Sequence, residues 1–108
     1  MLPEIEKIEI YAEDTIEFMV RFLDDLGNPI QLDGSTLYYT LFSFENSNLT
    51  YSQQINPTGT QATVFVPSTA TKTPGEYIQE IRLVLPTGNV YTMRGRVDIV
   101  SAIKTITS

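Results

Sequence analysis

An all-β sandwich of about seven antiparallel strands is the fold predicted by this 108-residue sequence. Three observations point there. Short runs rich in Val, Ile, Thr, Tyr and Phe recur at the spacing of about 8–12 residues expected of a sandwich or barrel. Turn-forming clusters separate them: "AED", "DDLGNP", "LDGS", "ENSN", "NPTG", "PSTATKTPG" and "PTGN". The six prolines and six glycines fall almost wholly inside those clusters, where fixed or permissive backbone angles are useful.

In chain order, strands are expected near 4–11, 14–23, 35–44, 49–55, 61–66, 76–85 and 89–100. The "PTGN" hairpin, joining Tyr77–Leu85 to Val90–Val100, is the clearest pairing signal. Gly95 lies inside the last strand and suggests a bulge. The segment "EDTIEFMVRFLDDLG" fits two templates. Ile16, Met19, Val20 and Leu23 follow a helical stripe, with Asp14 and Glu17 as cap and Gly27 as stop. Ile16, Phe18, Val20 and Phe22 equally share one face of a strand. Its β-branched and aromatic residues, and neighbours that are all strands, favour the strand. Alternation then puts Ile8, Ile10, Phe18, Val20, Phe22, Leu37, Tyr39, Leu41, Val64, Val66, Tyr77, Ile81, Leu83, Val97 and Ile99 in the core. One domain over 1–100 and a short polar tail over 101–108 are expected.

Composition excludes several functions. Neither Cys nor His is present, which removes disulfides, thiolate metal sites and the commonest general base. Trp is also absent, so an antibody-type core built on Trp and a disulfide is excluded. Net charge is −6 and the seven Lys/Arg are scattered, which argues against nucleic-acid binding. The apolar runs fall far short of a membrane span, and the acidic start "MLPEIEKIEI" lacks the features of a signal peptide. No cofactor is expected.

The candidate chemical sites are weak. Asp24, Asp25 and Asp33 share one loop and offer carboxylates to calcium, but the spacing is not that of an EF-hand, and Asp is common in turns. Glu17 with Glu80, or Glu76 with Asp98, are the conceivable acid–base pairs, with nothing to show that either meets. A Ser–Lys pair would need Lys72 or Lys104, both among turn or tail residues. Asn48–Thr50 is a glycosylation triplet of a kind that arises by chance. Arg94 and Arg96 face the same way and, with Arg82, suggest either an anion site or pairing with Glu80 and Asp98; pairing is the reading adopted.

"YYTLFSFEN" is more informative. If Leu37, Tyr39 and Leu41 face the core, Tyr38, Thr40, Phe42 and Phe44 face the other way. Phe65 likewise opposes Val64 and Val66. Tyr38, Phe42, Phe44 and Phe65 are therefore the candidate protein interface, because aromatics are favoured at such contacts.

The segments "DTIEFMVRFLDDLGNPIQLDGSTLYYTLF" and "TGTQATVFVPSTATKTPGEYIQEIRLVLPTGNVYTMRGRVDIV" resemble the small immunoglobulin-like domain of bacteriophage upper baseplate and tail-fibre proteins. The likeness lies in Gly27–Gly34, a G-x-P-hydrophobic-x-L-x-G segment, in the "PGEY" turn at Pro74–Tyr77, and in the "GNV" hairpin. It covers roughly residues 14–100. It implies an immunoglobulin-like sandwich without enzymatic activity, in the virion after synthesis in the host cytoplasm. It also implies contacts with other virion proteins, as a homo-oligomer or in symmetric copies, away from membranes. Because the sequence stops about where the domain does, a decoration of capsid or neck, or a tail adaptor, is expected beside a baseplate role. The alternative is a bacterial immunoglobulin-like binding module for carbohydrate or protein, with Tyr38, Tyr51 and Tyr91 as a sugar platform.

Overall fold

The computed structural model describes residues 8–46 and 48–101, and these form two β-sheets packed face to face. The seven strands are β1 (Ile8–Tyr11), β2 (Ile16–Val20), β3 (Thr36–Ser43), β4 (Thr50–Ile55), β5 (Ala62–Val66), β6 (Gly75–Val84) and β7 (Val90–Val100), with a 3₁₀ turn at Ser68–Ala70 before β6. One sheet has the order β1-β7-β6-β3-β4, and the other pairs β2 with β5. All seven expected strands are present, and "EDTIEFMVRFLDDLG" contains a strand. Residues 4–7 of the expected first strand and 102–108 of the expected tail lie outside the described residues.

Alternation builds the interior. β3 buries Leu37, Tyr39 and Leu41, β5 buries Ala62, Val64 and Val66, and β6 buries Tyr77, Gln79, Ile81 and Leu83. Val97 and Ile99 of β7 and Ile16 and Val20 of β2 complete the layer between the sheets. The rings of Phe18 and Tyr39 meet edge to face across it, with centroids 6.0 Å apart, a favoured aromatic arrangement. The turn at "PTGN" closes with Leu85 N–H donating to Asn89 O (2.9 Å) and Gly88 N–H to Leu85 O (2.8 Å).

Five expectations are corrected. Ile8, Ile10, Phe18 and Phe22 are only partly buried, because they sit at the margins of the sandwich. Leu32, fully buried, joins the core from a loop, where no strand alternation announces it. The second strand ends at Val20, because the chain then folds on itself: Leu23 bridges Pro29 and Ile30 N–H donates to Phe22 O at 2.8 Å. Gly95 makes no bulge, since the β6–β7 register runs through Gln79↔Gly95 without interruption. The strands are also not all antiparallel. β1 pairs in parallel with β7, Ile8↔Val97 to Tyr11↔Val100. No hairpin joins these two, so the intervening domain serves as the long connection that a parallel pair requires.

Candidate functional site

The outer face of the five-stranded sheet is where the second face of β3 lies. The register fixes its rows. Tyr38 lies between Gln54 and Arg82, Thr40 between Ser52 and Glu80, and Phe42 between Thr50 and Ile78. Beyond β6, Arg82, Glu80 and Ile78 pair with Thr92, Arg94 and Arg96 of β7. Among the described residues, the other sheet packs only on the inner side, so no strand covers this face. Tyr38 is 43% exposed and Phe44 67%, whereas Phe42 is half-buried beside its neighbours. Phe44 lies just beyond β3, where its N–H donates to Glu76 O at 2.8 Å.

The four aromatics do not form one patch. Tyr38, Phe42 and Phe44 belong to this face. Phe65 is on the outer face of the two-stranded sheet, opposite Glu17 and diagonal to the exposed Met19. The reason is topological: β3 and β5 are in different sheets, so side chains that point away from the core point in opposite directions.

The charges of the outer face are paired. Arg94 Nε lies 2.7 Å from Glu80 Oε2, Arg96 Nη2 2.8 Å from Glu76 Oε2, and Arg96 Nε 3.1 Å from Asp98 Oδ1. Asp98 first, then Glu76, raise the Arg96 pKa above its already high ordinary value. Pairing, rather than an anion site, is thus the arrangement found for Arg94 and Arg96. Arg82 makes no ion pair among the described residues. It borders a shallow depression together with Tyr38, Thr40, Glu80 and Val84.

The other candidates separate. Glu17 and Glu80 lie on opposite outer faces, so they do not meet. Glu76 and Asp98 are direct cross-strand partners, but Arg96 lies against both. In the acidic loop, Asp24 Oδ1 accepts from Leu26 N–H and Asn28 N–H, each at 2.9 Å. Asp33 accepts from Gly59 N–H at 3.0 Å and from the Gln31 amide. Those two bonds, Gly59 first, lower the Asp33 pKa. The carboxylate of Asp24 is thus engaged in its own turn, and that of Asp33 ties its loop to Gly59. No group of three acidic residues among the described ones converges on a metal position. Lys72 is exposed beyond the 3₁₀ turn, and Lys104 lies outside the described residues. Tyr38, Tyr51 and Tyr91 do not assemble a sugar platform. Tyr38 is on the outer face, while Tyr51 and Tyr91 are on the inner side, on strands separated by β3 and β6.

No protein-family model matches the chain, and no curated protein matches it at a significant level.

Two features escaped the sequence reading. Tyr39 Oη–H donates to Gln79 Oε1 at 2.8 Å inside the core. Burial first, then the neighbouring Tyr51, push the Tyr39 pKa far up. Gln53 Nε2 on β4 donates to Phe65 O on β5 at 2.7 Å, which ties the two sheets together at one side. An amide on the apolar face of a strand, as Gln79 is between Tyr77 and Ile81, is a weak signal of such a bond, because Gln is usually solvated.

Proposed function

We propose that the chain is a non-enzymatic structural module of a bacteriophage virion, an immunoglobulin-like sandwich that attaches to other virion proteins through the outer face of its larger sheet. The observation that carries this reading is the uncovered aromatic face of β3. It holds Tyr38 and Phe44 exposed and Phe42 half-buried, next to an Arg82 without an ion-pair partner among the described residues. Tyr and Arg are the residue types that dominate binding energy at protein contacts.

The immunoglobulin-like part of the reading rests on strand order and one corner. In this reading β2 and β5 stand for strands B and E, and β7, β6, β3 and β4 for G, F, C and C′, with which the strand order is compatible. Tyr77, near the start of β6, donates its Oη–H to Thr73 O at 2.8 Å, as in the tyrosine corner of that fold. Gln79 follows two residues later, where antibody domains carry a cysteine. Its bond to Tyr39 links β6 to β3 at that position. The virion part rests on the resemblance of the Gly27–Gly34, "PGEY" and "GNV" segments. The sugar-binding alternative loses its support with the separation of the three tyrosines.

Particles of the phage that encodes the chain are expected to contain it at a fixed ratio to their major proteins, by quantitative mass spectrometry. Phe42→Glu is expected to stay folded at a cost of about 0.5–3 kcal/mol, because Phe42 is half-buried, and to be lost from particles. Particles without the wild-type chain overturn the reading. A Phe42→Glu chain that unfolds places Phe42 in the core and removes this face as the contact.

A further inference from the structure

The charges of this chain are unevenly placed. From Asn46 to Thr71 there is no Asp, Glu, Lys or Arg, and all thirteen acidic and seven basic residues lie outside that run. The run contains β4, the crossing between the sheets, β5 and the 3₁₀ turn. The Gln53–Phe65 bond sets β4 and β5 side by side, so the run forms one wall of the sandwich.

β4 ends the five-stranded sheet, and among the described residues nothing pairs with its far edge. Natural edge strands are guarded by Lys, Pro, bulges or inward charges, because unpaired N–H and C=O groups recruit other strands. "TYSQQI" has none of these guards, and its register with β3 is regular from Thr50↔Phe42 to Ile55↔Leu37. β1, at the other end of the sheet, carries Glu9 beside Asp98. The β4 edge is also poised to bond. Ser43 N–H donates to Leu49 O, so by antiparallel alternation the odd-numbered residues of β4 bond β3. Ser52 and Gln54 then aim their backbone groups at the open edge.

We propose that β4 pairs antiparallel with β4 of a second copy of this chain, about a two-fold axis at Ser52, which joins two five-stranded sheets into one. Charge selects this occupant. Each copy carries −6 overall, so two copies repel wherever their acidic surfaces meet. A two-fold contact sets one surface against itself, and an uncharged wall is self-complementary in that sense. This inference rests on edge chemistry and not on the virion reading, so either can fail alone.

Sedimentation equilibrium of the full chain over a concentration series is expected to approach twice 12.1 kDa. Ser52→Lys and Ser52→Asp each set like charges directly opposite one another, which is destabilising. Each alone is expected to fall to the monomer mass with an unchanged circular dichroism spectrum. A mixture of the two in equal amounts is expected to regain the doubled mass. Phe42→Glu, which alters only the outer face, keeps the doubled mass. A wild-type chain that stays at the monomer mass overturns the proposal. So does Ser52→Lys at the doubled mass, or a mixture that stays monomeric. A second variant avoids reliance on charge. The chain has no cysteine, so Ser52→Cys forms a disulfide only between chains. Residues opposite in a bonded antiparallel pair lie about 5.5 Å apart at Cα, within disulfide range. Rapid oxidation to a covalent dimer is expected, and a variant that stays monomeric under oxidation overturns the pairing.

Discussion

Tyr39 and Gln79 form the polar contact on which the core depends at the residue scale. Both are almost completely buried, and each supplies the other's partner. Tyr39→Phe leaves Gln79 Oε1 without its donor and is expected to cost about 1–3 kcal/mol in denaturant unfolding. Gln79→Leu strands the phenol in the same way. The double variant removes both polar groups and is expected to recover most of the loss, with a coupling energy that a sum of singles does not show. The same phenol makes stability depend on alkali. Its folded pKa is raised above the unfolded value of about 10. The stability that comes from keeping it neutral is fully present below about pH 10. It is lost as pH rises from there through the raised folded value. Tyr77, also raised by burial, adds in the same direction. Denaturant midpoints followed across that range are expected to fall, and to fall less steeply in Tyr39→Phe.

At the scale of elements, the Gly27–Gly34 loop shows what anchors the path between sheets. Gly27 N–H closes the Asp24 turn at 2.9 Å, and fully buried Leu32 donates its N–H to Gly59 O at 2.7 Å. Gly34 has a positive φ of 81°, and a Cβ there would meet Pro86 Cγ at 3.2 Å. Gly34→Ala is expected to lower stability by about 1–2 kcal/mol, the cost of the left-handed backbone for an L-residue, measured by thermal unfolding. The strands were legible because period-two alternation and turn residues agree along almost the whole chain. Leu32 was not, since a loop residue has no period to betray its burial. The parallel β1–β7 pair was also hidden, because strand pairing between distant segments leaves no local mark. The site was half legible. Alternation around Tyr39 correctly exposed Tyr38 and Phe44, but it cannot say which sheet a strand joins. Phe65 was therefore grouped with residues that it does not accompany.

For the molecule as a whole, the two outer faces, the paired charges and the uncharged wall divide the surface into distinct zones. Pairing at β4 would carry the outer face across the two-fold. β3 of each copy would then lie three strand spacings apart, about 14 Å, which sets two aromatic rows side by side on one sheet. Loss of the dimer is therefore expected to leave the fold intact while halving the face available to a partner. The parallel pairing of β1 with β7 has a mechanical meaning as well. Ile8 pairs with Val97 and Tyr11 with Val100, the last residue of β7, and the strands run the same way. Opposite pulls on β1 from its N-terminal side and on β7 from its C-terminal side load the strands in shear, so the ladder bonds resist together. A hairpin such as β6–β7, pulled from its open ends, would give way one bond at a time.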